Sequence, residues 1–309
     1  MIRYYYKNLR SKKLGELDTY HPGCWIYVES PTSDEVDFLV RQFKLDEGHI
    51  ADALDPDEMP RLEREGDMSY IYMRYAYTAK DLELTTAPLL FIIGKDHFIT
   101  ISRGRLPQLD RFLSGHIAFA TTQRTKMFLQ VMNQISDQYE TYINTIARQI
   151  SIVRNRLKVH EIKNQDFVDF VLIEEELNDF LSAMLPTTAL LRRLTLGKYI
   201  PLFEEDTEIV EDLLLNNEQS IEGCRAHIKS VANIRQAYAT ISGNNLNQTM
   251  RILTAATVLI TLPNIIYGMY GMNINLPFQH EEWAYFFVLG LSGGVAAIVY
   301  FLGKRKRIF

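Results

Sequence analysis

Eight residues spaced 3, 4, 3, 4, 3, 4 and 3 apart place polar or small groups on one stripe: Asn247, Met250, Thr254, Thr257, Thr261, Asn264, Gly268 and Gly271. This is the heptad rhythm of a seam in a left-handed helical bundle. The intervening positions, among them Leu253, Val258, Leu259, Ile260, Leu262, Ile265 and Ile266, are aliphatic. Directly after the stripe comes Tyr270-Gly271-Met272-Asn273, which adds one more side-chain amide. Amides, hydroxyls and carbonyls can hydrogen-bond the water shell of a small divalent cation that dehydrates reluctantly. The stripe holds no carboxylate. A carboxylate ring would hold the ion tightly, whereas conduction needs weak binding at several sites.

The stripe needs a helix inside a membrane to carry this meaning. No Asp, Glu, Lys or Arg occurs from Ile252 to Gln279, or from Trp283 to Gly303. Each stretch can supply the roughly 20 apolar residues of a transmembrane helix. Polar groups facing hydrocarbon unsatisfied are costly, so the stripe should face away from lipid. Two readings stand: the small and hydroxylated residues are packing glue between helices, or several copies of the helix surround a hydrated pore. Two spans in one chain cannot easily satisfy so long a polar stripe, so the pore reading requires oligomerisation.

The rest of the chain is of another kind. It has 309 residues and a formal net charge of -5. Met1–Lys7 lack an apolar signal-peptide core, so the large N-terminal part is expected in the cytosol. Arg251 before the first span and Lys304-Arg305-Lys306-Arg307 after the second contrast with a loop carrying only Glu281 and Glu282. The positive-inside rule then puts both termini in the cytoplasm. The basic tail sits beside a span, so it reads as a membrane feature and not a nucleic-acid site. Cys24 and Cys224 lack metal-ligand or redox spacing and are expected as two reduced, partly buried thiols.

Cys24–Val28, Ser69–Tyr77, Leu89–Ile93 and His97–Ile101 read as strands, with a helix opening after Pro31. Helical spacing then runs from Lys126 to Lys158 and from Gln165 to Met184, where Pro186 is expected to interrupt it. A third helix begins near Glu204 and meets no proline until Pro263. If continuous to 268 it is about 100 Å long, the length of a stalk running into a membrane. The expected fold is an α/β cytosolic domain followed by long helices and two transmembrane helices. Its parts are the α/β domain (1–120), a helical hairpin (121–203), the stalk (204–250), the first span (251–270), an outer loop (271–282), the second span (283–303) and a basic tail (304–309).

Enzyme chemistry finds little support. There is no phosphate-binding G-x-x-x-x-G-K-[ST], no nucleophilic triad context, and no pair of histidines at ligand spacing. Glu174-Glu175-Glu176 point about 100° apart on a helix and read as a solvated face.

Gly271-Met272-Asn273 between two closely spaced C-terminal spans resembles the signature of the CorA family of magnesium channels. The resemblance covers most of the chain and is strongest from Asn247 onward. It implies a funnel-shaped homopentamer in the cell (inner) membrane that conducts hydrated Mg2+ inward, without ATP. A divalent ion gains about 4.6 kcal/mol per 100 mV. It further implies a filter of Gly271, Met272 and Asn273 braced by Tyr270, and a pore lined by Asn247, Met250, Leu253, Thr254 and Asn264, to which the spacing of the stripe adds Thr257, Thr261 and Gly268. Met250 and Leu253 would be a dewetting gate. Family feedback by cytosolic Mg2+ selects Asp52, in Ala51-Asp52-Ala53-Leu54-Asp55, and Asp212 on the stalk, as partners for a regulatory ion between adjacent subunits. The stalk reads Asp212-Leu213-Leu214-Leu215-Asn216 where relatives often have Asp-Val-x-Asp-His. The outer loop reads Asn275-Leu276-Pro277-Phe278-Gln279 where Met-Pro-Glu is common. Glu281 and Glu282 either replace that acid in attracting cations or cap the second span. Within the same resemblance, transport of zinc, cobalt or nickel is an alternative, against which Met272 argues; a non-conducting membrane-anchored scaffold is another.

Overall fold

The computed structural model describes all residues except 12, 80–82, 159–163, 279–280 and 306–309, and of 157, 158 and 164 the backbone. Lys306 and Arg307 of the basic tail and Gln279 of the outer loop therefore lie outside the described residues. The chain forms two compact units, Met1–Ile234 and Arg235–Phe309.

In the first unit one sheet contains β1 (Ile2–Tyr6), β2 (Gly15–Leu17), β3 (Trp25–Glu29), β4 (Arg61–Glu65), β5 (Met68–Thr78), β6 (Leu84–Ile93) and β7 (Phe98–Ser102). Their order is β2-β1-β3-β7-β6-β5-β4. β3 and β7 pair in parallel, with Trp25 opposite Phe98, and the other neighbours are antiparallel. The apolar run Trp25-Ile26-Tyr27-Val28 is buried on both faces, because helices cover both sides of the sheet. Side chains alternate across it. Ile26, Leu90, Ile92, Ile99 and Ile101 form one cluster with α1 (Ser33–Phe43) and α2 (Glu47–Leu54). Trp25, Leu89, Phe91 and Phe98 join the other, against α3 (Pro107–Leu113), α4 (Arg124–Lys158), α5 (Asn164–Leu194) and the start of α6 (Glu204–Tyr270). Trp25 is fully buried without cost to its indole N–H, which donates to Thr100 Oγ1 at 2.9 Å.

The four expected strands are present, within a few residues. β1, β2, β4, α2 and α3 emerge only in the structure; they are short, and periodicity over three to eight residues is a weak signal. α1 carries the expected cap: Thr32 and Glu35 form a capping box. Cys24 and Cys224 are free and buried, and burial pushes the Cys224 thiol up to about 12. Expected as partly buried, both thiols are fully enclosed, an environment in which a cysteine is inert.

Two expectations fail. Pro186 does not end the second long helix, for α5 continues to Leu194. A proline inside a helix removes a main-chain donor and crowds the preceding turn. Here side chains add donors to two carbonyls of that turn, those of Ala183 and Met184. Thr187 Oγ1 donates to Ala183 O at 2.8 Å, Thr188 Oγ1 to Met184 O at 3.3 Å, and the buried Asn217 of α6 donates to Met184 O at 2.9 Å. Asn217 thereby ties the proline turn to α6. Asn217→Ala is expected to lower stability by about 1–3 kcal/mol, read as a thermal midpoint about 2–4 °C lower per kcal/mol in purified full-length protein. An unchanged midpoint would remove Asn217 from that role. The second failure is Glu176, expected on a solvated face. It is half-buried and accepts the main-chain N–H of Leu84 at 2.9 Å, and burial raises its pKa.

Candidate functional site

α6 is one unbroken helix of 67 residues, with Pro263 inside it. Its last part and α7 (Ala284–Arg305) make the second unit. Both helices are long and apolar enough to cross a membrane, and their apolar windows are only 6% and 17% buried. A core helix of a soluble protein would be mostly buried, so this exposure favours lipid or further copies as the surroundings.

Within this unit α6 is shielded at Ala255, Leu259, Leu262, Pro263, Ile266 and Tyr270. α7 is buried at Ala284, Val288, Ser292 and Gly303. Tyr267 and Ser292 join the two helices through their hydroxyls at 2.8 Å. The polar stripe is elsewhere. Asn247, Met250, Thr254, Thr257, Thr261, Asn264, Gly268 and Gly271 are all exposed, as is Leu253 beside them. At about 100° per residue, the centre of the stripe lies roughly 170° around α6 from the centre of the shielded face. One helix thus carries an apolar face covered within the unit and an uncovered polar face opposite.

The chemistry of the polar face is that of an acceptor surface. Thr254, Thr257 and Thr261 each donate their hydroxyl proton to the carbonyl four residues earlier, at 2.8, 2.9 and 2.7 Å. Their oxygen lone pairs remain free to accept. The amides of Asn247, Asn264 and Asn273 hydrogen-bond to nothing among the described residues. Water bound to a cation presents its hydrogens outward, so a wall of oxygen acceptors is complementary to a hydrated cation and poorly matched to an anion.

At the end of α6, Gly271 N–H donates to Tyr267 O at 3.0 Å and Met272 N–H to Met269 O at 3.2 Å. The helix therefore closes at the tetrapeptide, and Asn273 is exposed just beyond it. Tyr270 donates its hydroxyl to the carbonyl of Pro277 at 3.3 Å, across the loop. Phe278 holds a left-handed backbone (φ 64°) and packs on Trp283 and Phe287, with ring centroids at 5.0 and 5.8 Å. The loop is thus anchored at both ends. Glu281 and Glu282 are exposed, and among the described residues neither carboxylate bonds a main-chain N–H of α7.

In the first unit, Asp52 lies in α2, half-buried, with Oδ2 at 2.7 Å from the Arg61 guanidinium. Arg61 also pairs with Glu58 and Glu63 and covers the Tyr72 ring at 3.9 Å. The sequence reading missed this arginine partner; the sequence offers two arginines, Arg61 and Arg64, alternating with acids on one short strand, and nothing local says which of them meets Asp52. Asp212 is exposed on α6, beside buried Val210 and Leu213, and makes no hydrogen bond or ion pair among the described residues. None joins Asp52 to Asp212 within one chain. Nor do any three His, Cys, Asp or Glu among the described residues converge on a ready metal site.

Residues 22–305 match the model of a family described as CorA-like Mg2+ transporter protein. The chain is 24% identical over 293 residues to the cobalt/magnesium transport protein CorA of Methanocaldococcus jannaschii, covering 91% of this chain and 90% of that protein. It is 22% identical over 297 residues to the magnesium transport protein CorA of Wolinella succinogenes, covering 91% and 90%. The complete structure of the Methanocaldococcus jannaschii CorA magnesium transporter superposes with a TM-score of 0.87 at 20% identity, over 99% of this chain and 98% of that one.

Proposed function

This chain belongs to the CorA-like Mg2+ transporter protein family, and on that footing we propose that it is a channel for hydrated divalent cations, chiefly Mg2+, moving into the cytosol down the electrochemical gradient. The observation that carries the reading is the uncovered acceptor stripe on α6, opposite its covered face. Left against lipid, each unsatisfied polar group would cost several kcal/mol. A ring of copies resolves this by turning the stripes inward around water. The ring is a homopentamer in this proposal, with α7 between the inner ring and lipid, and both termini in the cytoplasm of the cell (inner) membrane.

Hydrated ions enter at Gly271, Met272 and Asn273, with Tyr270 bracing the mouth and Glu281 and Glu282 drawing cations towards it. They pass Gly268, Asn264, Thr261, Thr257 and Thr254 and meet a gate at Leu253 and Met250, next to Asn247. Weak neutral acceptors at each level let the ion leave as readily as it arrives. Residues 251–270 and 283–303 are the membrane-spanning segments, and 204–250 the stalk.

Feedback belongs to the same proposal. Asp52 of one copy and Asp212 of the next hold a regulatory Mg2+ that favours the closed state. Asp52 must then exchange part of its contact with Arg61 for the ion or its waters. Asp52→Ala and Asp212→Ala are each expected to raise the internal Mg2+ that halves uptake by roughly tenfold or more, the equivalent of one charge-assisted contact of about 1.5–3 kcal/mol. Uptake into liposomes preloaded with graded Mg2+ reads this directly, and unchanged inhibition in both variants would remove the sensor.

The proposal as a whole is tested by reconstituting purified protein in liposomes with an internal Mg2+ dye and an inward-negative potential. Uptake supports the channel. No uptake of Mg2+, Co2+, Ni2+ or Zn2+ at low internal Mg2+ would favour the non-conducting scaffold. Uptake restricted to the transition metals would favour the zinc, cobalt or nickel alternative, to which the naming of the Methanocaldococcus relative for both cobalt and magnesium gives some support.

A further inference from the structure

A cavity of about 1120 Å³ lies in the first unit, where the β4–β5 turn, the β6–β7 turn, the start of α4 and the loop from α5 to α6 meet. That is room for a ligand of nucleotide size, since drug-sized ligands occupy sites of about 300–1,000 Å³. Its walls are tied together. Thr125 Oγ1 donates to Pro201 O at 3.2 Å, Arg64 Nη1 to Lys198 O at 2.5 Å, and Ser69 Oγ to Tyr199 O. The α5–α6 loop is thereby held against both α4 and the sheet.

Five cations line the cavity: Arg64, Lys95, Arg124, Lys126 and Lys198. None of them pairs with a carboxylate among the described residues. The first turn of α4 adds main-chain donors. Met127 N–H reaches Gln123 O at 2.9 Å, but the N–H groups of Arg124, Thr125 and Lys126 bond to nothing among the described residues. No acidic side chain stands in that turn. Cationic side chains and free N–H groups that converge on one cavity suit phosphate oxygens. The lining also holds Asp67, Glu204 and Glu205, while Asp206 is buried and turned onto its own helix, accepting Phe203 N–H at 3.1 Å. A bare polyanion is repelled by the first three. A phosphate chain that carries Mg2+ is not, because Mg2+ keeps several waters and binds through one or two carboxylates together with phosphates. Phe203 lines the same cavity with its side chain 77% exposed, an aromatic face on which a base can stack.

We propose that this cavity binds the Mg2+ chelate of a nucleoside triphosphate. Arg124, Lys126 and Lys198, with the free N–H groups of α4, take the phosphates; Glu204 and Glu205 meet the waters of the ion; Phe203 takes the base. The phosphates hold the ion, so the chain needs no metal site of its own here, and none of three ligands exists among the described residues. No bond is made or broken. The site uses no residue of the proposed ion path or of the Asp52–Asp212 feedback, so it stands independently of both. No motif in the sequence marks it, because separate turns and helix ends supply its parts.

The test titrates the full-length chain in detergent by calorimetry with ATP in excess Mg2+, with ATP and a chelator, and with tripolyphosphate in excess Mg2+. One Mg–ATP per chain is expected, bound more tightly than either alternative. Arg124→Ala and Lys126→Ala should each weaken it about tenfold or more, the worth of one hydrogen bond between charged groups. Phe203→Ala should weaken Mg–ATP roughly fivefold or more and leave Mg–tripolyphosphate unchanged. Glu204→Gln with Glu205→Gln should weaken Mg–ATP and tighten ATP without Mg2+. Arg148→Ala, further along α4 and outside the cavity, should change nothing. Lys126, Phe203, Glu204 and Glu205 are exposed, so the thermal midpoints of their unliganded variants should match wild type, which separates lost binding from lost folding. No binding of Mg–ATP, binding that survives Arg124→Ala and Lys126→Ala together, an equal loss in Arg148→Ala, equal affinity for tripolyphosphate, or tighter binding without Mg2+ would each overturn the proposal.

Discussion

Asn273→Ala is expected to reduce Mg2+ uptake into liposomes by at least tenfold while leaving folding and oligomer size intact. The amide is exposed and has no partner among the described residues, so the fold does not depend on it. Its worth lies in what it offers a hydrated ion. A hydrogen bond to a charged group contributes about 1.5–3 kcal/mol, and in the proposed ring every copy loses one. Even one such contact corresponds to about tenfold or more. Tyr270→Phe should have a smaller effect of the same sign, because it loosens the loop by removing the bond to Pro277 but keeps the amide. Flux that survives Asn273→Ala would leave a channel whose mouth is elsewhere.

The second large effect is expected from replacing Thr254, Thr257 and Thr261 together by valine. Valine keeps the shape of threonine and removes only the oxygen. In each case the hydroxyl proton is already given to the helix's own carbonyl, so the change strips acceptors from the stripe and leaves the main-chain ladder in place. An apolar constriction of this kind closes by dewetting. Uptake should fall by more than about tenfold, since three levels of acceptors in every copy are lost and each hydrogen bond is worth about 0.5–1.5 kcal/mol. Serine at the same positions should retain uptake. Helix content and oligomer size serve as controls. Unchanged uptake with a weakened oligomer would assign the stripe to helix packing, the competing reading.

The stripe was legible because a membrane simplifies the problem. Where lipid rewards apolar surface everywhere, any polar residue recurring at heptad spacing stands out, and Thr257, Thr261 and Asn264 needed no three-dimensional information to be grouped. The unbroken α6 was legible for a similar local reason: nothing between Glu204 and Pro263 stops a helix. Pro186 misled because a local reading cannot see the bond by which Asn217, thirty-one residues on along the chain, ties the proline turn to α6. Asp52 could be singled out, yet its pairing with Arg61 could not, because the loop between α2 and β4 decides which charges meet.

By itself, the sequence determined the two apolar helices long enough to span a membrane, the long helix and the burial of β3, all set by near-neighbour periodicity against water or lipid. Only the tertiary structure decided that the stripe lies opposite the covered face of α6, and that His49 looks onto Glu63 and Glu65. Those are relations of direction and distance between elements, and they depend on packing that brings together residues whose separation along the chain carries no trace of the contact.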